Sequence, residues 1–330
     1  MNRKILVTGG AGYIGSFIVR SLKEKGYEPV IVDDMSSGHE EAVQGFTLHK
    51  FNLVNNKEKL DELFVKEKFD GVIHMAAFIQ MGESFKNPLK YFRNNLGCAI
   101  NLMEAMVKHE VKYLIFSSSA GVYGNPESLP ITEDMPRNPV NPYGETKYMV
   151  EKMLASSERA HGIKFASIRY FNAAGAALDG SIGEDHPEES HLIPNVIKAT
   201  LEGQEVEIFG DDYETNDGTN VRDYFHVLDL AETHTLALEK LMNGMESDYF
   251  NVGIGRGYSN NEVIKMIEEV TGLKIKVKYG PRRKGDADSL YASIDKIKKA
   301  LAWEPKYGLK EIVESAYKWH KNNPKGYEDE

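Results

Sequence analysis

Cysteine is nearly missing from this 330-residue chain: Cys98 stands alone. One thiol forms no internal disulfide and no cysteine-based metal cluster, and such sparing use fits a reducing, cytoplasmic location. Long apolar runs are missing too. No stretch reaches the roughly 18 apolar residues of a membrane span, and KILVTGG opens the chain without the h-region of a signal peptide. Positive charge is in deficit, with 40 Lys and Arg against 50 Asp and Glu. A broad nucleic-acid footprint is therefore not expected, although a few local arginines still suffice for an anionic small molecule. Repeats, low-complexity blocks and Gly/Ser linkers are absent, and only KNNPKGYEDE reads as a frayed polar end.

What is present is an ordinary globular composition, 41% apolar and 27% charged, which supports a sizeable core. The length exceeds one usual domain. KILVTG, PVIVDD, DGVIHMAA, KYLIFSSS and FASIRYFN read as buried parallel strands, β-branched or aromatic and ending in small or polar residues. Helical patterns fall between them at 13–25, 57–67, 88–109 and 142–161. The expected fold class is α/β: a Rossmann-like, doubly wound parallel sheet over residues 1–174. A smaller mixed α/β substrate lobe follows over 175–330, with some segments returning to the first domain. A helix capped near Ser259 is expected within it.

KILVTGGAGYIGSFIV gives the order strand, glycine turn, helix. Gly9, Gly12 and Gly15 form G-x-x-G-x-x-G, and Gly10 with the last two forms G-x-G-x-x-G. Such glycines permit a tight turn, close approach of a pyrophosphate and helix packing, with the helix N-terminus facing the phosphates. A structural turn would look the same. Asp33 adds discrimination, because it follows the third glycine by roughly 20 residues, where a carboxylate accepts from a ribose 2′-hydroxyl. A 2′-phosphate would be repelled there, so NAD is favoured over NADP.

In NPYGETK, Asn141 and Pro142 make a good helix start, and Tyr143 and Lys147 share one face at i, i+4. Alone, this spacing fits a solvated pair as well as a catalytic one. A tyrosine, pKa about 10, becomes a base only where nearby cations favour phenolate. The upstream strand-end serines of YLIFSSSAGVYG and the glycine loop favour catalysis.

With VTGGAGYIGS, HMAA, FSSSAGVYG, NPYGETK, RYFNAAG, IFGDDYETNDGTNVRDYFHVLDLA, FNVGIG and RRKGDADSLYAS, the chain resembles the extended short-chain dehydrogenase/reductases over essentially its whole length. Within them it is similar to the enzymes that epimerise UDP-hexoses at C4. The resemblance implies tightly bound NAD, UDP-galactose or UDP-glucose as substrate, and a homodimer. It assigns Ser119, Tyr143 and Lys147 to catalysis. It assigns Gly9, Gly12, Tyr13, Ile14, Gly15, Asp33, Asp34, Asn52, Leu53, Ala76, Ala77, Asn95 and Tyr170 to the cofactor, with Tyr143 and Lys147 beside it. Asn172, His191, Leu192, Arg222, Arg283, Asp286 and Leu290 fall to the substrate, along with Ser119 and Tyr143. Two guanidinium forks, Arg222 and Arg283, suit a diphosphate. Leu290 occupies a gate position where more space would admit an N-acetyl group.

Some positions depart from the family pattern. Asn52 replaces an adenine-contacting acid, its amide oxygen still able to accept from the amino group; Ile79 replaces a lysine of some relatives; and Gly121 replaces a threonine. A 4,6-dehydratase is disfavoured because Ala120 and Gly121 follow Ser119 where that chemistry needs acids. A uronate 4-epimerase stays open, since one basic side chain could serve a carboxylate. A non-catalytic NAD or sugar-nucleotide sensor is opposed by retention of Ser119, Tyr143 and Lys147. His74 and His226 read as packed residues. No His/Glu spacing typical of zinc is evident, so no metal is expected.

Overall fold

The computed structural model describes residues 3–186, 188–283 and 286–327. The chain forms two compact units. The first holds the chain up to Asn125, then Met135–Tyr170 and Ala231–Phe250; the second holds Pro126–Asp134, Phe171–Leu230 and the chain from Asn251 onward. Ala231–Phe250 thus returns to the first unit, while Pro126–Asp134 crosses the other way into the second. The main cause lies in the sheet, whose edge strand comes from beyond residue 247.

Six strands of the first unit are β1 (Lys4–Thr8), β2 (Glu28–Asp33), β3 (Thr47–Lys50), β4 (Gly71–His74), β5 (Tyr113–Ser117) and β6 (Lys164–Tyr170). The helices among them are α1 (Tyr13–Glu24), α2 (Lys57–Glu67), α3 (Met81–Lys86), α4 (Pro88–Tyr91), α5 (Gly97–Lys108) and α6 (Pro142–His161). The second unit opens with β7 (Asn172–Ala174), α7 (Leu192–Glu202), β8 (Glu205–Phe209), β9 (Val221–Arg222) and β10 (Tyr224–His226). Helix α8 (Val227–Met242) and β11 (Asp248–Val252) follow in the chain, most of each belonging to the first unit. The sheet order is β11-β6-β5-β4-β1-β2-β3, and the pairings from β3 through β6 are all parallel. Burial on both faces explains the unbroken apolar runs: Ile5, Leu6, Val7, Val72 and Ile73 are all 0% exposed. Order reverses between β1 and β4, the switch point beside which such sheets hold ligands.

Helix α6 begins where Asn141 Oδ1 accepts the Gly144 N–H at 2.8 Å and ends at Gly162, φ 71°. The helix expected over 88–109 is instead α4, a π-helical turn at Phe92–Leu96, and α5. The wider turn points Asn95 inward, where its amide accepts from Phe78 N at 2.9 Å and donates to Phe78 O at 3.1 Å and to Thr146 Oγ1 at 3.0 Å. Helix α6 is tied to the sheet by a buried ion pair. Arg169 donates to Glu151 through Nε at 2.8 Å and Nη2 at 2.7 Å, both residues being at most 2% exposed. Ser118 and Ser167 donate to the same carboxylate at 2.8 and 2.9 Å, and Arg169 Nη1 donates to Tyr123 Oη at 2.8 Å.

The second unit continues with β12 (Tyr258–Ser259), α9 (Asn260–Thr271), β13 (Lys276–Gly280), β14 (Ser289–Leu290), α10 (Asp295–Leu301) and α11 (Leu309–Asn322). Its core gathers Ile193, Val196 and Ile197 of α7, Ile208 of β8, Val263 and Ile267 of α9, and Ile312 and Val313 of α11. Strand β9 lies between β12 and β14, and Ser259 caps α9 through a reciprocal box with Glu262. Truncating Arg169 strands a buried carboxylate, so Arg169→Ala is expected to lose roughly 3–5 kcal/mol of stability. Arg169→Lys, which keeps the charge without the fork, should lose clearly less, as read from urea unfolding of both variants.

Candidate active site

In the first unit, β1 runs into the glycine turn. Gly9 has φ +70°, and a Cβ there would lie 2.7 Å from Ala76 N; one at Gly15 would lie 2.2 Å from Gly9 O. These two are required by the chain's own packing. Gly12 is different. A Cβ on it would meet only Gly9 O, at 3.5 Å, and it provides no side-chain cap to α1. No side chain at Gly12 covers the N-terminus of α1, which fits close approach by the pyrophosphate of a dinucleotide. Tyr13 and Ile14 open this helix. Asp33, at the end of β2, accepts from Ala11 N at 3.0 Å and Met35 N at 2.9 Å. Burial pushes its carboxyl up, and these backbone bonds oppose the shift.

The Asn52 side chain is engaged within its own loop and with Asp34. Its amide oxygen accepts from Val54 N at 2.9 Å and Asn55 N at 3.3 Å, and its amide nitrogen donates to Asp34 Oδ2 at 2.7 Å. It braces Asp34. Leu53, assigned to the cofactor, is 3% exposed and belongs to the apolar core. Ala76 and Ala77 follow β4, with Ala76 N donating to Thr8 O at 3.1 Å. Thr8 Oγ1 and His74 Nδ1 are 2.7 Å apart, joining β1 to β4 at the switch point. Burial, then the nearby Lys147, pushes His74 down to about 3, so it is a neutral packed residue.

The serine, tyrosine and lysine come together. Ser119 follows β5 and its Oγ accepts from Gly121 N at 3.0 Å. Tyr143 and Lys147 lie on the first turns of α6, with Lys147 Nζ 5.8 Å from the Tyr143 ring centre and donating to Ser117 O at 2.6 Å. Burial pushes the Tyr143 phenol up, and a hydrogen bond with Ser119 opposes this. Burial pushes Lys147 down to about 7, opposed by Glu151. Both groups are thus driven toward their neutral forms, and phenolate needs a further positive charge close by. An oxidised nicotinamide carries one. Tyr170 ends β6, its ring 6.4 Å from that of His234.

In the second unit, Arg222 of β9 donates to Val221 O at 2.8 Å, and its Nη2 is 3.9 Å from Asp286 Oδ1. The Arg283 guanidinium lies over the Phe209 ring at 4.1 Å. Leu290 of β14 is the register partner of Arg222. Asn172 N donates to Asp223 O at 3.0 Å. The sequence reading missed Asp223 itself, which is 0% exposed and accepts from Ile254 N at 2.9 Å and Ala292 N at 3.1 Å. Burial pushes its carboxyl up to about 6. The available signal was a charged residue inside the apolar run VRDYFHV, together with Gly253, where a Cβ would lie 2.3 Å from the carboxylate. His191 stands at the N-cap position of α7 without a side-chain capping bond, and Leu192 begins the helix. His191 Nδ1 meets Glu184 Oε1 at 2.5 Å, and His186 and Glu189 join them, a grouping also missed.

A doubly wound sheet, an open glycine turn with an acid after β2, and a serine–tyrosine–lysine set define a dinucleotide-dependent enzyme of the short-chain dehydrogenase/reductase class. The profile of the NAD dependent epimerase/dehydratase family matches residues 5–253. UDP-glucose 4-epimerase of Lactobacillus helveticus is 49% identical over 328 residues, covering 99% of each chain. A crystal structure of a UDP-glucose 4-epimerase has TM-score 0.96 at 44% identity, covering 99% of this chain and 100% of the other. UDP-glucose 4-epimerase of Bifidobacterium longum, solved with NAD+ and UDP, has TM-score 0.93 at 36% identity, covering 98% and 100%. The chain belongs to the NAD dependent epimerase/dehydratase family, and NAD is its cofactor.

The buried ammonium gives a stability test. With Lys147 shifted down to about 7 from its ordinary 10.5, the unfolded chain binds the extra proton between those values, so stability rises with pH across that window. The penalty is fully present below pH 7. Lys147→Met is therefore expected to gain about 1 kcal/mol at pH 7 and less toward pH 10, while losing activity at least about a hundredfold. Thermal melts at several pH values and a turnover assay check both.

Proposed function

We propose that this enzyme interconverts UDP-galactose and UDP-glucose by inverting C4 of the hexose through a 4-keto sugar. The observation that carries this reading is the buried pair of Tyr143 and Lys147 with the half-buried Ser119 at the sheet's carboxyl edge, in a chain whose relatives have that activity. When bound, NAD supplies a reversible hydride acceptor, so C4 can be oxidised on one face and reduced on the other. Tyr143 takes the proton of the 4-hydroxyl. Ser119 donates a hydrogen bond to the oxygen that becomes the carbonyl and helps relay the proton, and Lys147 stabilises the phenolate. Arg222 and Arg283 hold the diphosphate, and Asp286 the uridine ribose. Firm contacts on the charged end leave the neutral sugar free to turn over.

Purified protein mixed with UDP-galactose and no added cofactor should form UDP-glucose, resolved chromatographically. No UDP-glucose even after NAD is supplied would sink the reading. Tyr143→Phe should keep NAD and lose at least about a hundredfold in turnover, and a fully active variant would remove Tyr143 as the base. UDP-N-acetylglucosamine as a further substrate tests the gate: Leu290→Tyr should lose this activity selectively.

A cytoplasmic homodimer completes the proposal. Helices α5 and α6 border an open groove lined by Ile100, Met103 and Met153 with Glu104 and Lys152, and Ile100 is 44% exposed. An apolar strip with one acid and one base is self-complementary across a two-fold axis. Analytical ultracentrifugation should find a dimer that Ile100→Asp weakens; a wild-type monomer would remove it.

A further inference from the structure

Glu184, His186, Glu189 and His191 belong to one short loop ahead of α7, and their ligand atoms all lie within 4.8 Å of one another. His186 Nδ1 is 3.4 Å from Glu184 Oε1 and 3.4 Å from Glu189 Oε2, and His191 Nδ1 is 3.5 Å from Glu189 Oε1. These separations are long for charged hydrogen bonds, which favour about 2.7–2.9 Å. They come close to the ligand spacing around a metal ion instead, with Glu189 turning Oε2 toward His186 and Oε1 toward His191. Four ligands at about 2.1 Å from a tetrahedral ion stand about 3.4 Å apart. Of the four histidine–glutamate separations, only that of His191 and Glu184, at 2.5 Å, is shorter than this.

We propose that Glu184, His186, Glu189 and His191 form a binding site for one divalent transition-metal ion, zinc by preference, which clips the loop that leads into α7.

Charge supports the assignment. The Glu184 side chain is 4% exposed and that of Glu189 is 7% exposed, so two carboxylates are buried at one point. Such a pair needs positive charge beside it. A dication with two neutral imidazoles balances it fully. The ion would stand where a proton now joins His191 to Glu184, so that pair opens by about 1 Å to the ligand spacing. Imidazole nitrogen with carboxylate oxygen, and no thiolate, is a donor set for zinc, with cobalt and nickel as substitutes. Four protein ligands leave no open position, which marks a structural site rather than a hydrolytic one.

The surroundings hold the ligands in place. Glu189 Oε1 accepts from Ser190 N at 2.8 Å and His191 N at 2.9 Å. Trp319 Nε1 donates to Glu184 O at 3.1 Å, and a Cβ at Gly183 would lie 2.3 Å from Trp319 Cγ, so the loop sits flat against that ring. The site revises the expectation of no metal. The site shares His191 with the expected substrate contacts, but zinc retention and the cobalt spectrum are read without turnover.

The test uses the full-length protein, stripped with a chelator and dialysed against micromolar zinc or cobalt. About one equivalent of zinc per chain should be retained, and the cobalt form should show the intense visible bands of four-coordinate Co2+. Zinc should raise the melting temperature of the stripped protein. His186→Ala and Glu189→Gln should each lose the bound equivalent and that shift. No retained zinc, or equal retention by both variants, would overturn the site and leave two histidine–glutamate ion pairs. Should a variant fail to fold, the wild-type cobalt spectrum decides: weak octahedral bands reject the site.

Discussion

The buried pair of Glu151 and Arg169 is the constraint on which the catalytic geometry rests. Tyr143, Lys147 and Glu151 recur at four-residue steps on α6, so one helix face carries the proposed base, its lysine partner and the anchor. Glu151 reaches Arg169 and Ser167 on β6 and Ser118 just beyond β5. Helix register and strand ends are therefore locked by one carboxylate. Ser117 O then lies where Lys147 can reach it, and Ser119 follows two residues on. An ion pair in this position sets geometry more than it adds net stability, because desolvation offsets much of its attraction.

The same burial governs the electrostatics. A phenol pushed up and an ammonium pushed down to about 7 give a resting pair that holds no phenolate and only a half-populated ammonium at neutral pH. In the proposed reaction, proton abstraction by Tyr143 is then coupled to the arrival of positive charge, which would tie that step to occupancy of the cofactor cradle. His74, beside Lys147 and pushed to about 3, adds no competing cation.

Local features were legible in the sequence. The glycine turn, the Asn141–Pro142 helix start and the Ser259 cap each depend on neighbours within a few residues. The π turn at Phe92–Leu96 was not, since an extra residue in a helical turn leaves the apolar pattern nearly unchanged. Asn52 kept its expected place but its amide is spent on its own loop and on Asp34. Asp223 and the Glu184–His191 loop escaped for another reason. Asp223 gains meaning only when Ile254 and Ala292 are brought to it, and the loop's histidines converge only when the chain between them folds back.

The position of β11 has a consequence for how the chain is made. Strand β6 ends at Tyr170, yet the strand that pairs with its outer edge begins at Asp248. On the ribosome, β6 therefore stays an open edge while the next 77 residues, 171 through 247, are synthesised. An uncapped edge of buried apolar strands is a template for pairing with another chain. A growing chain must shield that edge, and a fragment cut after the catalytic residues would carry it permanently, however complete its active-site inventory.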